Sequence, residues 1–120
     1  MAQSMNAAAL AYLGDAVFEL MTREKLLTGG LPVNKAHKEA KNIVSARAQS
    51  EIYHRIYPTL SNEEQTIMRR GRNLHPIARA KNAETTEYRH ATGVEALFGY
   101  LYHKGDTARM EEIFELCTSE

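Results

Sequence analysis

The chain has 120 residues, 43% of them hydrophobic, and its 15 basic and 15 acidic side chains give a formal net charge of zero. That length fits one compact domain spanning 1–120 and leaves no room for a second of ordinary size, and the apolar fraction suffices for a packed core and excludes a largely disordered chain. Any attraction to nucleic acid or membrane must come from local clustering, because the net charge supplies none. The one cysteine, Cys117, rules out an internal disulfide framework. The opening residues lack a charged leader pattern and no apolar run reaches the length of a membrane span, so the expectation is a cytoplasmic chain with no membrane partner.

From about Ala7 to Leu27, Leu10, Leu13, Val17, Leu20, Met21 and Leu27 recur at steps of three and four, the period of an amphipathic helix. Gly29 and Gly30 supply its stop, and Pro32 delays the next element. Asn34 is the expected N-cap of a second long helix carrying Ala36, Ala40, Ile43, Val44, Ile52 and Ile56, which ends before Pro58. Ser61 and Glu64 have the spacing of a capping box, predicting a short helix to about Arg70, with Ile67 and Met68 inward and Gly71 as its stop. Between Gly71 and Ala83 the period is lost, and Gly71, Asn73, Pro76 and Asn82 punctuate a long loop. Thr85 or Thr86 then caps a helix with Val94, Leu97, Phe98 and Leu101 on one side, closed by Gly105. Asp106 caps the last helix, through Met110, Ile113, Phe114 and Cys117. No segment alternates with period two, so the predicted fold is all-α, with about five main helices.

Charge is unevenly placed. From Thr66 to Ala83 there is no acidic residue, whereas Arg69, Arg70, Arg72, Arg79 and Lys81 are basic. Planar guanidinium donors match phosphate geometry, so this expected loop suits RNA or DNA, with a merely solvated loop as the plainer alternative. Lys35, Lys38 and Lys41 stand at helical spacing and read as a solvated face.

Two acids stand apart from the others. Asp15 in the first helix and Glu95 in the fourth have no lysine or arginine three or four residues away, and their neighbours are mostly small or apolar. Each is therefore expected to be at least partly buried, and a buried carboxylate needs a partner. An arginine from elsewhere, such as Arg23 or Arg89, would serve, as would a hard divalent cation such as magnesium. Gly14 and Gly99 would let the two helices approach closely and bring the acids together. The five histidines fit no zinc spacing, no phosphate-cradling glycine loop is present, and Cys117 lies on an apolar stripe. Tyr12, Tyr88, Tyr100 and Tyr102 read as core or interface aromatics.

The segment LAYLGDAVFE, Leu10 to Glu19, resembles the signature helix of the ribonuclease III family, and GVEALFGYLYHKG, Gly93 to Gly105, resembles its second catalytic helix. The intervening RRGRN, Arg69 to Asn73, and a chain ending at Glu120 without room for a separate double-stranded RNA-binding domain resemble the Mini branch of that family. The resemblance implies a helical, homodimeric endoribonuclease that cuts double-stranded RNA with Mg2+ and matures large-subunit (23S) ribosomal RNA precursors, with a ribosomal protein as a candidate helper. It places Asp15 and Glu95 at catalytic, metal-binding positions. Full-length members carry a glutamate four residues before that aspartate and an aspartate three before that glutamate, where this chain has Ala11 and Thr92. With fewer carboxylates, waters or RNA phosphate oxygens would complete the coordination, and the Mini branch shows the same reduction. RNA contact falls to Arg69, Arg70, Arg72, Asn73 and Lys81, since duplex RNA is read through phosphates and 2′-hydroxyls. The bulky residue that enters the partner subunit across the dimer axis corresponds to Tyr12, for which filling its own core is the alternative. A non-catalytic RNA-binding or ribosome-assembly module, or a plain helical adaptor, would use the same fold without the acid pair.

Overall fold

The crossing of two 22-residue helices, α1 (Ala7–Thr28) and α5 (Ala83–Lys104), organises the fold. Around this pair the computed structural model sets α2 (Val33–Val44), α3 (Ala46–Ile56), α4 (Asn62–Arg72) and α6 (Thr107–Thr118). It describes residues 5–74 and 83–119, and in the second stretch the side chains from residue 86 onward. No strand occurs among the described residues, and the architecture is all-α as the apolar period requires.

Burial follows the helical stripes. Val94, Leu97, Phe98 and Leu101 of α5 form the centre, with Val17 and Phe18 of α1, Ile52 and Ile56 of α3, Met68 of α4 and Ile113 of α6 packed around them. Phe18 meets both Phe98 and Phe114 edge-on, with ring centroids 5.0 and 5.4 Å apart, the arrangement that aromatic quadrupoles favour. Leu10, Ala11 and Ala96 make a smaller cluster where α1 crosses α5, with Ile67 against it. No helix among the described residues is long and apolar enough to cross a membrane.

Local signals placed several boundaries correctly. Helix α1 begins at Ala7 as expected, the Ser61–Glu64 capping box is formed in both directions, and the Asp106 side chain accepts from the Arg109 amide. Gly30 and Gly105 take the left-handed φ values, +97° and +83°, that end α1 and α5.

Four expectations are corrected. The second long helix is two helices, divided at Ser45, which turns extended (ψ 155°) and caps α3 by accepting from the Ala48 amide. Gln49 then donates to the Ile43 carbonyl at 2.8 Å, satisfying an acceptor exposed by the break. Six α-helices thus stand among the described residues, in keeping with about five main ones, and the residue before the second is Pro32, not Asn34. Gly71 does not stop α4 but lies inside it, packed on α5. Finally, α5 begins at Ala83, so neither Thr85 nor Thr86 is its cap.

Candidate catalytic site

The site arises where α1 and α5 touch backbone to backbone. A Cβ on Gly14 would overlap the carbonyl oxygen of Glu95, and one on Gly99 would overlap that of Leu10. Glycine at both positions therefore lets the main chains approach more closely than any side chain would permit. Asp15, the neighbour of Gly14, and Glu95 consequently share one site, with their side chains within hydrogen-bonding reach. Asp15 is exposed, not partly buried as expected, whereas Glu95 is half-buried.

Burial, then the charge of Asp15 and the hydrogen bond to it, push the Glu95 carboxyl up to about 8. The pair therefore tends to retain a proton near neutrality when no cation lies between its members. Neither arginine suggested as a partner answers it. Arg23 pairs with Glu19 at 3.2 Å, and Arg89 donates to the Arg72 carbonyl at 3.3 Å. Two oxygen ligands side by side at a solvent-facing crossing, unanswered by either arginine, form the donor set a hard divalent cation prefers.

The positions where longer enzymes carry further acids are occupied differently. Ala11 is buried in the α1–α5 crossing, packed with Leu10 and Ala96. The Thr92 hydroxyl donates to the Tyr88 carbonyl at 2.9 Å.

Arg69, Arg70 and Arg72 all sit on the last turn of α4, which runs past its expected end near Arg70 to include Arg72, and Asn73 is its C-cap. Lys81, like Arg79, lies outside the described residues. Gly71 packs against Thr92, Gly93 and Ala96, so the basic turn adjoins the stretch of α5 that carries Glu95. Arg70 is exposed; Arg69 is half-buried, hydrogen-bonded to the Tyr57 hydroxyl and Thr66; Arg72 donates to the Asn73 side chain at 3.2 Å. None of the ion pairs among the described residues engages Arg69, Arg70, Arg72 or Arg89. Lys35, Lys38 and Lys41 are exposed on α2, as a solvated face would be.

Two features escaped the sequence. Leu20 and Leu27, read as part of the inward stripe of α1, are exposed, and with Met5 and Tyr12 they form a second apolar face. Tyr12 is 87% exposed and Leu20 67%, so Tyr12 does not fill its own subunit's core. The signal was present in a helix with apolar residues on more than one side. The other feature is a histidine pair, His54 of α3 and His90 of α5, whose ring centroids lie 4.6 Å apart. No local spacing announces it, because the two residues meet only through the fold.

Residues 8–106 match the profile of the ribonuclease III domain. The chain is 46% identical to a Mini-ribonuclease 3 of Thermoanaerobacter sp. over 94% of its length and 80% of the relative's. It is 45% identical to the Mini-ribonuclease 3 of Symbiobacterium thermophilum, over 88% and 82% of the two chains. A crystal structure of a Fusobacterium nucleatum protein superposes with a TM-score of 0.83 at 31% identity, covering 95% of this chain and 88% of that one.

Proposed function

Because the chain belongs to the ribonuclease III family, in its Mini-ribonuclease 3 branch, and is thus an endoribonuclease by kinship, we propose that it hydrolyses double-stranded RNA with magnesium held by Asp15 and Glu95. The observation that carries this reading is the meeting of those two carboxylates at the Gly14–Gly99 crossing. Their oxygen chemistry fits magnesium, with retained waters or RNA phosphate oxygens as the remaining ligands. Bound there, the metal would supply an activated water and relieve charge on the pentacovalent phosphate.

The protein's own groups have narrower tasks. Asp15 and Glu95 fix the cation's position, and the rigid helix crossing keeps their separation constant. Arg70 and Arg72, with Asn73, meet phosphates beside the acid pair, and Arg69 braces that turn through Tyr57 and Thr66. Lys81 extends the same basic run in sequence. Contacts to phosphate and sugar carry little base identity, so sequence preference is modest.

Cutting both strands of a duplex needs two acid pairs related by symmetry, and the exposed apolar face of α1 around Tyr12 is suited to an isologous homodimer. The proposed physiological substrate is the cytoplasmic large-subunit (23S) ribosomal RNA precursor, with a ribosomal protein as a candidate helper in presenting it.

The deciding experiment incubates purified protein with duplex RNA, including duplexes taken from the ends of the large-subunit precursor, with and without magnesium. Asp15→Asn and Glu95→Gln remove charge at nearly constant volume. Both should abolish cleavage while leaving the helical circular dichroism and duplex binding in place. Full activity in either variant would remove that residue from the essential ligands. Duplex binding with no magnesium-dependent cleavage by the unaltered chain would leave the non-catalytic RNA-binding reading instead.

A further inference from the structure

Beside the basic turn of α4, where α3 packs on α5, stands a histidine pair for which the proposed chemistry has no use. His54 and His90 meet edge to face at 4.6 Å, and the His90 ring lies 4.7 Å from that of Tyr53, which stacks on Tyr57. The Ser50 hydroxyl contacts His90 Nδ1 at 2.8 Å. Arg72 and Arg89 add positive charge to the surroundings of His90. The Tyr53 hydroxyl is buried without a well-formed hydrogen bond among the described residues, although the Arg72 guanidinium is near enough to act on it. In a chain of zero net charge, two imidazoles and two guanidiniums have been gathered on one side of α4.

Such a gathering is unfavourable by itself, because like charges in partial burial repel and each imidazole opposes protonation of the other. It becomes favourable when an anion is placed against it. The geometry also fits the strand proposed for the acid pair. His90 precedes Glu95 by five residues on α5, about 7.5 Å along the helix axis, and Gly71 and Arg72 bridge the interval by packing on Thr92 and lying beside His90. A polyanion lying over Glu95 and the α4 turn would continue onto the histidine pair.

We propose that His54 and His90, with Arg72 and Arg89, form a second phosphate-contact patch that grips the RNA strand beside the cleavage site. This rests on the double-stranded RNA reading and extends it. Ser50 suits the role, since its hydroxyl donates to a bare Nδ1 and accepts from a protonated one, and so supports either charge state of His90.

The patch makes RNA binding respond to pH. Burial, His54, Arg72 and Arg89 hold His90 below the ordinary imidazole range in the free protein. The groups around the pair are Tyr53 and Tyr57 after the α3 face, Arg69 and Arg72 from α4 and Arg89 from α5, with the acids Glu51 and Glu87 three residues before His54 and His90 on their helices. A phosphate offsets the cations around His90, favours its protonated form and draws a proton from solvent, so affinity rises as pH falls.

The test uses the Glu95→Gln background, which suppresses cutting and removes the titration of Glu95. Binding of a blunt RNA duplex should be roughly three- to tenfold tighter at about pH 6 than at about pH 8, and calorimetry in buffers of different ionisation enthalpy should record proton uptake. His54→Gln, at an exposed position, should reduce both effects, and adding His90→Gln should remove them. A pH response unchanged in the His54→Gln protein and in the double variant would overturn the proposal by assigning the protons to other groups. Binding that is strong but indifferent to pH would also overturn it while leaving the RNA reading intact. No duplex binding at any pH would overturn the RNA reading and this patch with it.

Discussion

Gly14 rests on the main-chain carbonyl of Glu95, and that contact sets the distance between the two helices that carry the acid pair. Alanine in an open helix position stabilises relative to glycine by about 0.5–1 kcal/mol. Here the sign reverses, since the added methyl group meets backbone that cannot swing aside. Gly14→Ala and Gly99→Ala should each destabilise by on the order of 3 kcal/mol and widen the crossing. Cleavage should fall further than stability explains, even at temperatures where the variants remain folded. A thermal melt paired with a magnesium titration of activity checks both, and a stabilised Gly14→Ala protein would show that the helices do not approach this closely.

The metal-free protein should lose stability as pH rises across the neutral range. Glu95 holds its proton up to about 8 in the folded chain, against an ordinary value of 4.5, so between those limits the folded state binds more protons than the unfolded one. The contribution is fully present below the lower value and disappears as pH rises through the upper. The slope is bounded by one proton, about 1.4 kcal/mol per pH unit. Chemical denaturation in chelator at several pH values should show this decline, and Glu95→Gln should flatten it. Added magnesium should stabilise the unaltered chain most at the alkaline end, where both carboxylates are free to bind it.

The three arginines of α4 should separate by their surroundings. Arg70 is exposed, so Arg70→Ala should leave the melting temperature unchanged, weaken duplex binding across sequences, and reduce the logarithmic salt slope by about 0.7 to 1. Arg69 is bonded to Tyr57 and Thr66, and Arg69→Ala should cost roughly 1 kcal/mol of stability in addition. Binding titrations at several salt concentrations, in calcium to suppress cutting, distinguish the two. A triple variant at Arg69, Arg70 and Arg72 with an unchanged salt slope would move the RNA surface elsewhere.

Much of this was legible because the deciding physics was local. Ser61 with Glu64, Asp106 and Gly105 act within one helical turn, and all three work as their spacing indicates. The acid pair was legible for a related reason. A carboxylate without a cationic neighbour on its own helix is conspicuous, and the glycines beside the two acids supply the means of bringing them together. Tertiary decisions were not legible. Ser45 divides α2 from α3 partly because Gln49 returns to the Ile43 carbonyl, a bond that exists only once the break has formed. Gly71 resembled a helix stop, yet its missing side chain serves the contact with Thr92, Gly93 and Ala96. Placing Arg72 on a loop followed from that same misreading. The histidine pair needs α3 and α5 side by side before it exists at all.

Tyr12 supplies the clearest separation between stability and assembly. Its side chain is 87% exposed in the isolated protomer, beside Met5, Ala9, Leu13, Ala16 and Leu20 on the open face of α1. An exposed aromatic contributes little to its own subunit, so Tyr12→Ala should change the unfolding free energy of the monomer by no more than about 0.5 kcal/mol. In an isologous dimer the same ring is buried twice by symmetry, and removing an aromatic anchor at an interface commonly costs 2 kcal/mol or more, roughly a thirtyfold weakening per site. Sedimentation over a range of concentrations should therefore show a dimer for the unaltered chain and dissociation for the variant, with circular dichroism nearly unchanged. Nicked duplexes should accumulate with the variant, since a monomer holds one acid pair and cuts one strand per encounter. A variant that remains dimeric but melts early would return Tyr12 to a role inside its own subunit. An unaltered chain that stays monomeric while cutting both strands together would remove the need for a two-fold partner.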